Sequence, residues 1–142
     1  ALGIAITAYG VLARGLLSGT WRGESTGARD IRANHPRFSG ENLAHNLALV
    51  ESLRAIAAEK HATVAQLAIA WVASRGDDIL PLIGSRRRAQ LAEALGALDV
   101  RLDAGDLERI ARTVPAEGAS GDRYPSALMK HLDSERRADA RG

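Results

Sequence analysis

The sequence predicts an α/β chain in which two parallel strands alternate with helices, and two observations carry that expectation. Two short runs rich in branched aliphatic residues, 2–9 and 79–83, each break at a glycine-containing turn. Between and after them, apolar residues recur at three- and four-residue steps, the spacing of one helix face. Strands separated by helices pair in parallel through right-handed crossovers, so one sheet faced by helices is the expected architecture.

Taken in order, residues 2–9 (with Ile4, Ile6, Thr7 and Tyr9) read as a buried strand. It ends in Gly10-Val11-Leu12-Ala13-Arg14-Gly15, a small-residue turn of the kind that brings backbone close to a ligand after a parallel strand. Residues 16–40 show little periodicity and much Gly, Ser, Arg and Asp, with Trp21 and Phe38 as isolated apolar anchors. A loop of that length reads either as a binding segment or lid, or as irregular packing.

A helix over 42–60 follows from Leu43, Leu47, Leu49, Val50, Leu53, Ile56 and Ala57. Thr63 and Gln66 fit a capping box for a second, more deeply buried helix carrying Val64, Leu67, Ala68, Ala70, Trp71 and Val72, with Gly76 as its expected C-cap. The second strand, 79–83, contains Pro81, whose missing N–H counts against a central position. After Gly84 and Ser85 a helix over 86–97 is expected, with Leu91, Ala94, Leu95 and Leu98 on one face.

Strand, tight turn and helix start together make an anion site. Unpaired N–H groups and the positive dipole end favour a bound phosphate there, and Arg86, Arg87 and Arg88 stand beside them. The competing reading makes Ser85 a plain N-cap and the arginines solvated surface. Downstream, Asp103 and Asp106 cap a helix over 104–113, Leu102 and Leu107 are placed to staple it, and Pro115 stops it. Residues 116–142 read as an extended tail with a small apolar group at Tyr124, Pro125, Leu128 and Met129, its last ten residues, 133–142, mobile.

Composition bounds the function. The 142 residues are 46% hydrophobic and 25% charged, which is ordinary for a globular protein, and the net charge of +2 weakens a nucleic-acid reading despite the arginine run. Cysteine is absent, so neither disulfides nor thiolate chemistry enters, and a reducing cytoplasm is compatible. No apolar run reaches the roughly 20 residues that span a bilayer, so no membrane association is expected. His35, His45, His61 and His131 show no metal-ligand spacing with the carboxylates and are expected as polar surface residues, with no metal. Two strands make no stable sheet alone, so the chain is expected to be part of a larger unit or to assemble.

Several ordered blocks resemble the aldo-keto reductase family. Ala8-Tyr9-Gly10-Val11-Leu12-Ala13-Arg14-Gly15-Leu16-Leu17-Ser18-Gly19 is similar to the segment closing that family's seventh barrel strand. The same order holds for Pro36-Arg37-Phe38 with Glu41-Asn42, for the stretch from Thr63 to Val72, for Pro81-Leu82-Ile83-Gly84-Ser85-Arg86-Arg87, and for Gly121-Asp122-Arg123-Tyr124. The resemblance implies the C-terminal portion of a (β/α)8 TIM barrel over 1–132, comprising the last two strands with their helices and incomplete on its own. It implies reduction of aldehydes and ketones to alcohols with NADP(H), in the cytoplasm. Tyr9 matches the aromatic residue stacked on the nicotinamide, and Gly10, Val11 and Leu12 match backbone that approaches the pyrophosphate. Gly84, Ser85 and Arg86 match the cofactor-phosphate site, with arginine favouring a 2′-phosphate, and Gln90 and Glu93 match adenosine-side positions.

Gly10 stands where the family has serine, and Ala94 where it often has asparagine. No segment matches the family's Asp, Tyr, Lys and His tetrad, so no catalytic residue is assigned and the chain by itself is expected to be inactive. Its expected partners are a small carbonyl substrate, and either a second copy or an N-terminal half supplying the remaining barrel. The alternative reading is a non-catalytic NADP-binding or regulatory module.

Overall fold

The backbone N–H of Leu82 donates to the carbonyl of Ala8 at 2.8 Å and that of Ile6 to Asp78 at 2.7 Å, bracketing a two-stranded parallel sheet. The computed structural model describes residues 3–23 and 30–132. Its strands are β1, Ile6–Ala8, and β2, Ile79–Pro81, with Ile6 opposite Ile79, Thr7 opposite Leu80 and Ala8 opposite Pro81. In a parallel ladder only alternate amides of a strand face a given neighbour. Leu82 donates to β1, so the Pro81 nitrogen faces the open edge and its missing N–H costs this sheet no bond.

The sequence also led us to expect longer, buried strands, and the structure corrects this. Each has three residues, and Ile6 and Leu80 are exposed. The physical reason is the number of layers: helix packing covers β2 from one side, and nothing among the described residues covers the other face.

Two long helices hold the core: α1, Gly40–Glu59, and α2, Val64–Ala73. Val50, Leu53, Ile56 and Ala57 of α1 meet Val64 and Leu67 of α2 and Ile110 of the later helix, with Leu16 and Phe38 closing the same cluster. Full burial of an aliphatic side chain this size contributes about 1.5–3 kcal/mol, so this face dominates the fold's stability. The capping box forms as expected: Thr63 Oγ1 accepts from the Gln66 N–H at 3.2 Å and Gln66 Oε1 accepts from the Thr63 N–H at 2.9 Å. The C-cap of α2 is Ser74 rather than Gly76, because Gly76 instead opens the turn into β2, its carbonyl accepting from Ile79 at 3.1 Å.

The helix expected over 86–97 is α3, Arg88–Gly96, continued by one 3-10 turn at Ala97–Asp99. Its expected apolar face is not buried. Leu91, Leu95 and Leu98 are exposed, Leu98 at 67%, and Ala97 is the residue that enters the core. The face has the spacing for packing but no layer opposite it among the described residues. Next, α4, Ala104–Thr113, has the expected bounds, with Asp103 and Asp106 capping each other's backbone at 2.9 Å. Lys60 pairs with Asp106, and Arg109 reaches Glu59 at 2.6 and 2.8 Å, which ties α4 to the end of α1.

The expected loop over 16–40 contains short 3-10 turns at Ile31–Asn34 and Pro36–Phe38, and its start overlaps a segment, Ala13–Ser18, kinked at Arg14 and Gly15, where φ is positive. Trp21 stacks edge-on against Phe38 with centroids 5.3 Å apart, while the Arg32 guanidinium lies 4.6 Å over Trp21 and pairs with Asp30, so both aromatic anchors are used. In the tail, residues Ser126–Met129 form a short helix, α5, where extended chain was expected. The expectation of mobility over 133–142 lies outside the described residues.

Candidate functional site

Because β1 and β2 are parallel and in register, the segments following Ala8 and Pro81 leave the sheet at the same edge. The first segment carries Tyr9 and Gly10. Gly10 has φ +73°, in the left-handed region that disfavours a side chain, and no atom lies within 4 Å of where a Cβ would stand. The backbone there is open to a ligand. Val11 and Leu12 are half-buried, and the Leu12 carbonyl is already used inside the turn, accepting from Gly15 at 2.8 Å and Leu17 at 3.2 Å. The amide of Ala13 is engaged as well, donating to the Gly10 carbonyl at 2.8 Å.

An open cleft of about 480 Å³ lies beside this turn, walled by Tyr9 and Gly10, by apolar residues of α1 such as Val50 and Leu53, and by Arg123 and Tyr124 of the tail. Tyr9 is 69% exposed, so its ring face is available. Its hydroxyl is 3.2 Å from that of Tyr124, and the Arg14 guanidinium lies 4.8 Å over the Tyr124 ring. The Tyr9 hydrogen bond and Arg14 draw the Tyr124 phenol below its ordinary value, while the contact with Tyr124 holds Tyr9 above its own.

The second segment stands apart from that cleft. Gly84, Ser85 and Arg86 are exposed and do not line it. The helix begins at Arg88 with Arg87 at the cap, so Ser85 is not the N-cap. Nor are the Arg86 and Arg87 amides unpaired, since Gln90 Oε1 accepts from both at 3.1 Å. A phosphate at this corner would take those two donors from Gln90, a residue expected on the adenosine side. Glu93 is half-buried on α3.

Inspection of the sequence missed the residues that dock the tail. Asn46, 2% exposed, donates to the carbonyls of Arg37 at 3.0 Å and Ser120 at 2.9 Å and accepts from the Ser120 N–H at 2.9 Å. Asn42, His45 and Arg37 bond Ser120 Oγ, the Gly118 carbonyl and the Gly121 carbonyl at 2.6, 2.8 and 3.0 Å. His35 and His45, expected as surface residues, thus have structural contacts: His35 Nδ1 lies 2.6 Å from the Ile31 carbonyl and its ring tilts against Tyr124. The available signal was a polar asparagine on the apolar helix face, at a three-residue step from Leu43.

Among the described residues no group of three His, Cys, Asp or Glu side chains stands together as a metal site, and no helix is long and apolar enough to cross a membrane.

Comparisons with known proteins agree with this architecture. A Glycine max protein named probable aldo-keto reductase 1 is 38% identical over 127 residues, covering 89% of this chain and 37% of that protein. The Schizosaccharomyces pombe aldo-keto reductase yakc, whose name carries NADP(+), is 37% identical over 123 residues, 86% of this chain and 36% of its own length. The structure of a glycerol dehydrogenase from Gluconobacter oxydans superposes with a TM-score of 0.68 over 78% of this chain and 35% of that one, at 28% identity. The chain thus spans little more than a third of the length of these relatives, and its α/β fold is part of a TIM barrel. Residues 1–114 match the Aldo/keto reductase family, and the chain belongs to that family.

Proposed function

We propose that this chain is the cofactor-cradling C-terminal portion, over residues 1–132, of an NADP(H)-dependent reductase that converts aldehydes and ketones to alcohols. The observation that carries the reading is the shared edge: the Tyr9-Gly10 turn and the Gly84-Ser85-Arg86 corner leave two adjacent parallel strands in the same direction. An extended dinucleotide laid along that edge meets a flat aromatic ring at one end and a basic helix start at the other.

The residues present fit such a ligand. Open backbone at Gly10 and Gly84 admits close approach of an anion, with Val11 and Leu12 continuing the first turn. Ser85 and Arg86 would receive the adenosine-side phosphate, the arginine by a charge-assisted pair of bonds that favours NADP over NAD, with Gln90 and Glu93 on the same side. The bound cofactor supplies a hydride. Tyr9 holds the nicotinamide face and keeps water from it, while the opposite face stays free for the carbonyl.

Turnover requires an acid to protonate the carbonyl oxygen, and no residue of this chain is assigned that role. We therefore place the acid on a segment that supplies the remaining strands, with the carbonyl substrate between the two parts. The exposed Ile6, Leu80 and Leu82 on the sheet and Leu91 and Leu95 on α3 support such a partner, because uncovered apolar residues beside an open strand edge favour association. The setting we assign is the cytoplasm.

Titration of NADPH fluorescence with this chain tests the reading. A saturable change, weakened by Arg86→Ala for NADPH more than for NADH, is the expected result. No change at millimolar protein overturns it.

A further inference from the structure

Tyr124 reaches Tyr9 from 115 residues away in sequence, and its route is built rather than incidental. Four side chains grip the chain just before it. Asn46 holds both backbone groups of Ser120, Asn42 holds its hydroxyl, His45 holds Gly118 and Arg37 holds Gly121. Gly121 sits at φ +82°, where a Cβ would come within 2.8 Å of Asn42 Nδ2 and 2.9 Å of the Pro36 carbonyl carbon, so the chain passes there only as glycine. Beyond that point Tyr124 is half-buried between the Arg14 guanidinium and the His35 ring, with its hydroxyl on that of Tyr9.

Tyr9 has no comparable support of its own. It is exposed, follows a three-residue strand and precedes a glycine with positive φ, so its ring has few neighbours to set its plane. We propose that Tyr124 is a positioning residue for Tyr9: the tail, locked on α1 through Asn42 and Asn46, fixes the Tyr9 ring at the edge where the functional reading above lays the nicotinamide. The inference rests on that reading for its consequence but not for the link between the two residues. Ordering an exposed aromatic ring before binding lowers the entropy lost on complex formation, so the pair raises affinity without a new contact to the ligand.

The chain contains two tyrosines in all, so absorbance of ionised tyrosine reports this pair alone. Two separated ionisation steps are expected, the earlier from Tyr124 and the later from Tyr9, because the first phenolate is stabilised by the second hydroxyl and by Arg14. In Tyr124→Phe the remaining step moves back toward the ordinary tyrosine range. NADPH affinity is expected to fall about threefold to tenfold in Tyr124→Phe, and the further loss on adding Tyr9→Phe to be smaller than in the parent, since both remove one bond. Asn46→Ser, which shortens the clamp, gives the same direction, and Tyr ring signals in NMR at neutral pH report the link where a variant is less stable. Two tyrosines titrating together in the parent protein, or a Tyr9 ring signal unmoved by Tyr124→Phe, overturns the positioning role. NADPH binding that is saturable yet unchanged in Tyr124→Phe overturns it too. Separated ionisation steps without any NADPH binding support the link between the two residues and sink the functional reading instead.

Discussion

The side-chain amide of Asn46, buried in α1, is bonded to both the N–H and the carbonyl of Ser120, each at 2.9 Å, across 74 residues of chain. An asparagine used this way mimics a strand partner for a single residue. Removing it leaves a backbone donor and acceptor without their partner in a half-buried position, which costs about 1–3 kcal/mol. Asn46→Ala is therefore expected to lower the urea midpoint and to speed hydrogen exchange of the Ser120 amide more than that of α2 amides. Equal acceleration throughout would show that the contact is not local to the tail.

Gly121→Ala tests the same contact from the other side. The added methyl meets backbone atoms of Pro36 and Arg37 at 2.9 and 3.0 Å, and these cannot swing away as a side chain does. With the left-handed φ, the expected loss exceeds about 1 kcal/mol. Protease cleavage after Arg123 should become faster while the helical circular dichroism stays close to the parent's.

The junction of α1 and α4 predicts a pH response of definite sign. Asp106 is held below its ordinary value of 3.8, first by the bond from Lys60 and then by the Asp103 N–H, so its ionised form stabilises the fold. That contribution is complete above the unfolded value and is lost as pH falls through the lower folded one, that is, below about pH 4. Lys60, raised above 10.5 mainly by the same bond to Asp106, contributes below its unfolded value and loses that contribution as pH rises past the folded one. Thermal unfolding of Asp106→Asn should show a flatter acid limb, with the backbone cap kept by the amide oxygen.

Leu67 of α2, among the most deeply buried side chains, touches the core that joins α1, α2 and α4. Leu67→Ala is expected to cost about 2–5 kcal/mol, the range for a buried leucine whose cavity collapses incompletely. Unfolding in urea measures it directly. Leu98→Ala, at an exposed position of the 3-10 turn after α3, should change stability by less than about 0.5 kcal/mol in this chain.

Local signals accounted for those parts of the fold that local physics controls. The Thr63–Gln66 and Asp103–Asp106 boxes are read from residue types three apart, and both form because each satisfies orphan amides within one turn. The bounds of α4 followed from its cap and from Pro115, and the apolar face of α1 from short-range periodicity. The corner at Gly84 was legible as strand, turn and helix, but not the taking of its Arg86 and Arg87 amides by Gln90, since a glutamine three or four positions on has many possible partners.

By itself, then, the sequence determined the α/β class with its parallel sheet, from the alternation of strands and helices, and the α1 and α4 helices, because periodicity and caps act over a few residues. Only the tertiary structure decided which apolar faces are covered, because Leu91 and Leu95 have the spacing of core residues whether or not a layer lies over them. It alone decided the tail's course as well: Asn46 and Ser120, or Tyr9 and Tyr124, carry no mutual signal along the chain, and their bonds exist because the fold brings them within about 3 Å, the reach of a hydrogen bond.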